Sequence, residues 1–100
     1  MAQVTPLTED EIAENLIQHP TWAREGDTIT KTFKADSYMA GLALAAAIGT
    51  TCDALGHHPD IHIGWKKVKV SFTTHDAGNK LSAKDFEAAG KIAALGYHRD

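Results

Sequence analysis

The stretch "CDALGHHPDIHIGW", Cys52 to Trp65, gives the clearest indication of the fold, because a long helix ends in it and an extended region begins. From about Ser37 to Leu55, apolar residues recur at three- and four-residue steps, which predicts a helix capped by Asp36 or Ser37. Gly56 then supplies a helix stop, and Pro59 forbids simple continuation. A helix and a strand therefore meet at a pair of histidines.

Extended chain is predicted on both sides of this helix. From Ile61 to about Thr74, valine and phenylalanine take one parity and polar residues the other, most clearly in "KVKVSFTTH". Upstream, the pattern of "TWAREGDTITKTFK" predicts a hairpin, with the turn at Glu25-Gly26-Asp27. These two regions supply four strands.

Two further helices are predicted near the ends of the chain. Thr8 and Glu11 form a capping box that begins the first helix, which ends near His19. Ser82 caps the last helix, with Asp85 at the capping-box position. The order α-β-β-α-β-β-α predicts an α+β fold, in which three helices cover one face of a four-stranded, largely antiparallel sheet.

Length and composition restrict the function classes. One hundred residues with 43% hydrophobic content predict a single domain over residues 1–100 with one modest core, which oligomerisation would help to stabilise. The net charge of −3, with no lysine cluster beyond Lys66, Lys67 and Lys69, argues against nucleic acid or an anionic membrane as partner. A lone cysteine and the lack of a signal-like N-terminus indicate the cytosol.

Clustered histidines are the main indication of function, and a metal site is the first hypothesis. His58 and His62 are four apart, but Pro59 makes a shared helix unlikely, and on a strand they lie roughly 13 Å apart. Without a cysteine pair or a carboxylate triad nearby, we expect no metal here.

Proton transfer is the second reading, because imidazole exchanges protons near neutral pH. Adjacent His57 and His58 can face a substrate from two sides, and Asp53 stands one helical turn before His57, where an i,i+4 hydrogen bond would fix its tautomer. His75 has the polar parity of its strand, which argues against a core position. Solvated loop residues remain the structural alternative, and Asp85 is explained by capping alone.

The combination of these residues resembles the signature of the pterin-4a-carbinolamine dehydratases. Asp53, three residues, His57-His58-Pro59, five residues, Trp65, nine residues, His75 and then Asp85 match that pattern in order. The resemblance extends over nearly the whole chain and implies the same fold. Two departures are Gly56, where many members have an acid, and Ile61, where many have an aromatic residue.

The resemblance implies a hydro-lyase that converts 4a-hydroxytetrahydropterin to quinonoid dihydropterin in pterin recycling, without metal or cofactor. It implies catalysis by His57, His58 and His75, support from Asp53 and Asp85, and pterin contacts from Thr73, Thr74 and Trp65. His62 has no counterpart in the signature. Expected partners are a pterin, further copies of the chain in a homodimer or homotetramer, and an aromatic amino acid hydroxylase in the same pathway.

A second hypothesis is a binding module, since animal members of this family also stabilise transcription-factor dimers. The long helix from Ser37 to Leu55 would carry that contact, and its alanine- and glycine-rich face permits close packing with a partner. Such a face equally suits a monomer, so the sequence leaves both hypotheses open.

Overall fold

Three helices and four strands follow one another in the predicted order in a computed structural model, which describes residues 4–95. In chain order they are α1 (Glu9–Gln18), β1 (Ala23–Glu25), β2 (Thr28–Lys34), α2 (Tyr38–Leu55), β3 (Asp60–Gly64), β4 (Lys67–Phe72) and α3 (Ala83–Ala93). A short 3-10 turn, His75–Ala77, links β4 to α3. The α+β class is confirmed.

The strands form one sheet in the order β1-β2-β4-β3, and every neighbouring pair is antiparallel. Cross-strand partners align the buried parity of each strand, so that Ile29 lies opposite Phe72 and Phe33 opposite Val68. This parity makes one face of the sheet apolar. The helices cover that face, while threonines and lysines of the other parity face away from it.

One hydrophobic core lies between the sheet and the helices, and its central side chains are fully buried. Phe33 and Phe72 both contact the indole of Trp22, in an edge-on arrangement for Phe33 and a tilted one for Phe72. Cys52 of α2 lies in this core, and burial raises the pKa of its thiol to about 11. The thiol is therefore neutral at physiological pH and packs as a small apolar group.

Helix α2 begins and ends at the residues that its sequence indicates. The Ser37 side chain accepts a hydrogen bond from the Ala40 amide, which identifies Ser37 rather than Asp36 as the N-cap. Gly56 ends the helix with φ of 70°, in the left-handed region. Its amide and that of His57 donate to the Asp53 and Cys52 carbonyls, respectively, which satisfies the last turn.

The length and composition of α2 would also suit a membrane span, with a mean hydropathy of 1.3 over its 18 residues. Gly41, Leu44, Ala45, Ile48 and Cys52 are its buried residues, and they face the sheet and α3. A core helix of a globular domain has the same length and composition, and one face of α2 packs in the core, although only 28% of the helix is buried.

The end of α2 gives a stability prediction. We expect Gly56→Ala to lower the free energy of unfolding by about 1 kcal/mol, because alanine resists the left-handed region that φ of 70° requires. Gly49→Ala is the matched control, because a Cβ there would lie 4.0 Å from Ile61 Cδ1, an ordinary contact distance. Alanine at this helical position should raise the free energy of unfolding by roughly 0.5–1 kcal/mol. Urea unfolding measures both, and equal effects of the two substitutions would contradict the argument.

Candidate active site

A cleft of about 370 Å³ opens where β3 begins and β4 ends, beside the first turn of α3. Its volume lies at the small end of the range of ligand pockets. Its lining residues come from the α2–β3 connection, the segment after β4 and α3; they are Gly56, His57, His58, Pro59, Asp60, Thr73, Thr74, His75, Asp76 and Lys84. The fold thus brings together three histidines that are up to 18 positions apart.

His57 forms the best-held contact in the cleft. Its Nε2 lies 2.6 Å from Oδ1 of Asp85, and the exposed fractions of the two side chains are 11% and 0%. The imidazole also stacks on Phe72, with the ring planes 7° apart. In the neutral tautomer that has its proton on Nε2, the ring donates to this carboxylate oxygen and leaves a lone pair on Nδ1.

Asp85 is held in turn by donors on its other oxygen. Oδ2 accepts hydrogen bonds from the Thr74 hydroxyl at 2.8 Å and the Ser82 amide at 2.9 Å. The second bond belongs to the capping box of α3, so the predicted capping role of Asp85 is confirmed. The same side chain therefore caps a helix and contacts a histidine, and the two roles do not compete.

The prediction of a hydrogen bond between Asp53 and His57 is wrong. Asp53 Oδ1 lies 2.9 Å from Nε2 of His58 instead, and both side chains are largely exposed. An i,i+4 hydrogen bond requires helical geometry as far as His57, but the chain leaves the helix at Gly56 in a left-handed conformation. That turn directs His57 toward α3 and leaves His58 beside the last turn of α2.

His75 lines the same cleft and is exposed, as expected, but it lies in the 3-10 turn beyond β4, so the strand parity does not explain its exposure. Its Nδ1 lies 2.6 Å from the Asn79 side-chain oxygen. Asn79 can approach because it adopts φ of 61°, directly after Gly78 at φ of 72°. As in the other two histidines, one ring nitrogen is engaged by an acceptor oxygen, and the second nitrogen has no hydrogen-bond partner among residues 4–95.

Trp65 does not line this cleft, and its predicted contact with the pterin stays a prediction. It lies in the β3–β4 turn, a strand length of roughly 16 Å from the start of β3, because antiparallel strands place their turn at the opposite end of the sheet. The indole is 70% exposed and stacks on Tyr38. His62 lies on β3 opposite Lys69 and is likewise outside the lining of the cleft.

The two predicted threonines line the cleft with their hydroxyls already engaged. Thr73 donates to the Asp27 carbonyl at 2.8 Å, and Thr74 donates to Asp85. Three charged side chains that the sequence reasoning did not single out also line it: Asp60, Asp76 and Lys84. Their positions next to Pro59, His75 and Asp85 in the sequence were the available signal.

Within residues 4–95, no group of three or more histidine, cysteine, aspartate or glutamate side chains is arranged to hold a metal ion. The contacts of the cleft histidines are pairwise, each with one oxygen acceptor. This arrangement provides fixed ring orientations and free nitrogens, which are the features that proton transfer requires.

Several known proteins that are similar to this chain are described as pterin-4-alpha-carbinolamine dehydratases. The family model for pterin 4 alpha carbinolamine dehydratase matches residues 5–95. A Roseiflexus sp. protein named pterin-4-alpha-carbinolamine dehydratase is 44% identical over 88 residues, which cover 88% of this chain and 94% of that relative. A Natronomonas pharaonis protein of the same name is 42% identical over 89 residues, covering 89% and 94% of the two chains.

A solved structure is also similar. The Brucella melitensis protein described as a transcriptional coactivator/pterin dehydratase superposes with a TM-score of 0.82 and is 27% identical in sequence. The superposition covers 90% of this chain and 97% of that one. The similarity therefore extends over the fold as well as the sequence.

The two aspartate–histidine pairs give a contrast in stability. We expect Asp85→Ala to lower the free energy of unfolding by about 3 kcal/mol, because it leaves buried donors without an acceptor and removes a helix cap. Asp53→Ala should change it by less than about 0.5 kcal/mol, because that pair is exposed to solvent. Chemical denaturation measures the free energy of unfolding of both variants. Similar losses in the two would contradict the larger contribution expected of the buried hydrogen bonds.

Proposed function

This chain belongs to the pterin 4 alpha carbinolamine dehydratase family, a family of hydro-lyases, and on that premise we propose that His57, His58 and His75 catalyse dehydration of a 4a-hydroxytetrahydropterin. The product is the quinonoid dihydropterin, and water is released. The observation that carries the proposal is the meeting of three histidines around one cleft, each with one ring nitrogen engaged and one available.

The reaction needs two proton transfers and no change of redox state. The C4a–O bond breaks, the oxygen takes up a proton and leaves as water, and N5 loses its proton as the C4a–N5 double bond forms. Because hydroxide is a poor leaving group, a proton donor near C4a and an acceptor near N5 both lower the barrier. Imidazoles do both near neutral pH, so this chemistry requires neither a metal nor an organic cofactor.

His57 is the principal proton carrier in this proposal. It is the most buried of the three histidines, and its contacts with Asp85 and Phe72 hold the ring in one orientation. With Nε2–H directed to Asp85, Nδ1 is free to accept a proton from the substrate. The adjacent carboxylate stabilises the positive charge that the ring then acquires.

His58 and His75 complete the proton transfers from the rim of the cleft. Both are solvent-exposed, so they exchange protons rapidly with water between turnovers. Asp53 and Asn79 orient the two rings through one nitrogen each. A substrate between the rim and His57 would have proton-exchanging groups on two sides.

The pterin would lie against the chain segment that follows β4, at Thr73 and Thr74. Because both threonine hydroxyls are already engaged, backbone groups and the charged rim would provide the polar contacts. A pterin ring offers amino and N–H donors and an oxo acceptor, which suit the carboxylates of Asp60 and Asp76 and the Lys84 ammonium. The proposed role of this activity is to recycle the pterin that an aromatic amino acid hydroxylase has oxidised, and its proposed location is the cytoplasm.

Single alanine substitutions test the proposal. We expect His57→Ala to lower kcat by about 10²–10³-fold, the loss typical of a missing general acid or base. His58→Ala and His75→Ala should each lower kcat less, because water reaches the rim of the cleft. Stopped-flow absorbance with freshly generated carbinolamine measures the rates.

His62→Ala is the matched control, since this exposed histidine lies outside the cleft and should leave kcat unchanged. A wild-type rate equal to that of buffer at several pH values would refute the dehydratase proposal. If the three cleft variants each kept the wild-type rate, the histidine mechanism would be refuted but the dehydratase activity would not.

Self-association through α2 is the proposed quaternary arrangement, as a homodimer or homotetramer. Met39, Ala43, Ala46, Thr50 and Ala54 recur at three- and four-residue steps and are exposed, although none is charged. In a helix this apolar, such a stripe suits a second copy of the same helix better than water. The Brucella protein is described as a transcriptional coactivator, so contact with a different protein is the second candidate for this stripe.

Ala46→Glu tests this arrangement by placing a charge in the middle of the stripe. We expect the wild type to elute as an oligomer and the variant as a monomer in size-exclusion chromatography with light scattering, because a charge at the interface core is costly to bury. Thr32→Glu, an exposed position of β2, is the control and should leave the mass unchanged. A monomeric wild type would refute self-association and favour contact with a different protein.

A further inference from the structure

Two hydroxyl groups lie behind Asp85, on the side away from His57. Thr74 Oγ1 is 2.8 Å from Asp85 Oδ2 and 2.6 Å from Ser82 Oγ. Thr74 is 2% exposed, and Ser82 and Asp85 are fully buried. These hydroxyls come from two different parts of the fold, the segment after β4 and the N-cap of α3.

The donors and acceptors of this cluster permit one consistent arrangement of protons. Ionised Asp85 only accepts, so the single proton of the Thr74 hydroxyl points to Oδ2. Thr74 Oγ1 must then accept from Ser82, whose own oxygen accepts from the Lys84 amide at 3.2 Å. Every bond in the chain therefore points toward Asp85, and hydrogen bonds aligned in this way strengthen one another.

We propose that Thr74 and Ser82 are positioning residues, whose aligned hydroxyls hold Asp85 so that His57 keeps its proton on Nε2 and offers Nδ1 to the substrate. The proposal rests on the proposed role of His57. Without the Thr74 hydroxyl, Oδ2 would retain only the Ser82 amide, and the carboxylate could rotate about its terminal bond. The His57 ring would then lose the fixed acceptor that selects its tautomer.

A role in helix capping alone does not account for the Thr74 hydroxyl. The capping box of α3 is formed by Ser82 and Asp85 between themselves, and Thr74 lies outside that helix. A valine would fill the same volume at position 74 without requiring a buried partner. The hydroxyl is therefore extra to the cap, and it donates to the oxygen of Asp85 opposite to the one that His57 contacts.

Thr74→Val and Thr74→Ser test the proposal as a pair, because valine keeps the shape and serine keeps the hydroxyl. We expect Thr74→Val to lower kcat about tenfold, as loss of the outer partner of an oriented histidine does at metal sites, with little change in KM. Thr74→Ser should restore most of kcat. Thr30→Val is the matched control: Thr30 is also buried and its hydroxyl bonds a carboxylate, but on the far face of the sheet.

Nuclear magnetic resonance of 15N-labelled protein reports the tautomer independently of turnover. In the wild type we expect a downfield Nε2–H signal for His57 that exchanges slowly with water, and no proton on Nδ1. The signal should weaken or shift in Thr74→Val and return in Thr74→Ser. A purely structural role would lower stability and leave the tautomer of the folded protein unchanged.

Either of two outcomes would overturn the proposal: a His57 signal and kcat unchanged in Thr74→Val, or equal losses in the valine and serine variants. If the wild type shows no dehydratase activity, the proposed function fails, and the resonance experiment still decides whether Thr74 positions His57. If Thr74→Val does not fold, Thr74→Cys gives the same comparison, because a thiol is a weak donor.

Discussion

The buried carboxylate of Asp85 links the architecture of this domain to its candidate chemistry. One oxygen contacts His57, and the other accepts from the Ser82 amide and the Thr74 hydroxyl. A fully buried carboxylate is costly to desolvate, and a set of well-placed donors is what makes its burial tolerable. Because those donors come from α3 and the segment after β4, the carboxylate also fixes these two elements against each other.

This arrangement makes the start of α3 part of the site. Helix caps are usually local devices, in which a side chain satisfies a free amide of its own helix. Here the capping side chain has a second oxygen to spare, and His57 occupies it. Changes that loosen the cap should therefore also loosen the imidazole, so the stability of the helix and the orientation of His57 are physically coupled at this point.

The three cleft histidines differ in how firmly the protein holds them. His57 is enclosed by Asp85 and Phe72, whereas His58 and His75 pair with exposed partners at the rim. An exposed pair contributes little to stability, but it keeps a ring oriented and in contact with water. In the proposed mechanism, one buried and two exposed imidazoles combine a fixed proton acceptor with groups that re-equilibrate quickly.

The helices and strands of the fold could be predicted from the sequence alone. The caps at Thr8, Ser37 and Ser82, the helix stop at Gly56 and the alternation in β4 each depend on groups a few residues apart, so local physics predicted them. The resemblance to a known family pointed to the three histidines that line the cleft.

Contacts between side chains of different elements could not be predicted from the sequence. Asp53 pairs with His58 rather than His57 because Gly56 turns the chain, and Asp85 reaches His57 across 28 positions because α3 packs beside the end of α2. Trp65, close to the histidines in sequence, is separated from them by the length of β3. Spacing along a chain gives distances only within a regular element, and these contacts cross between elements.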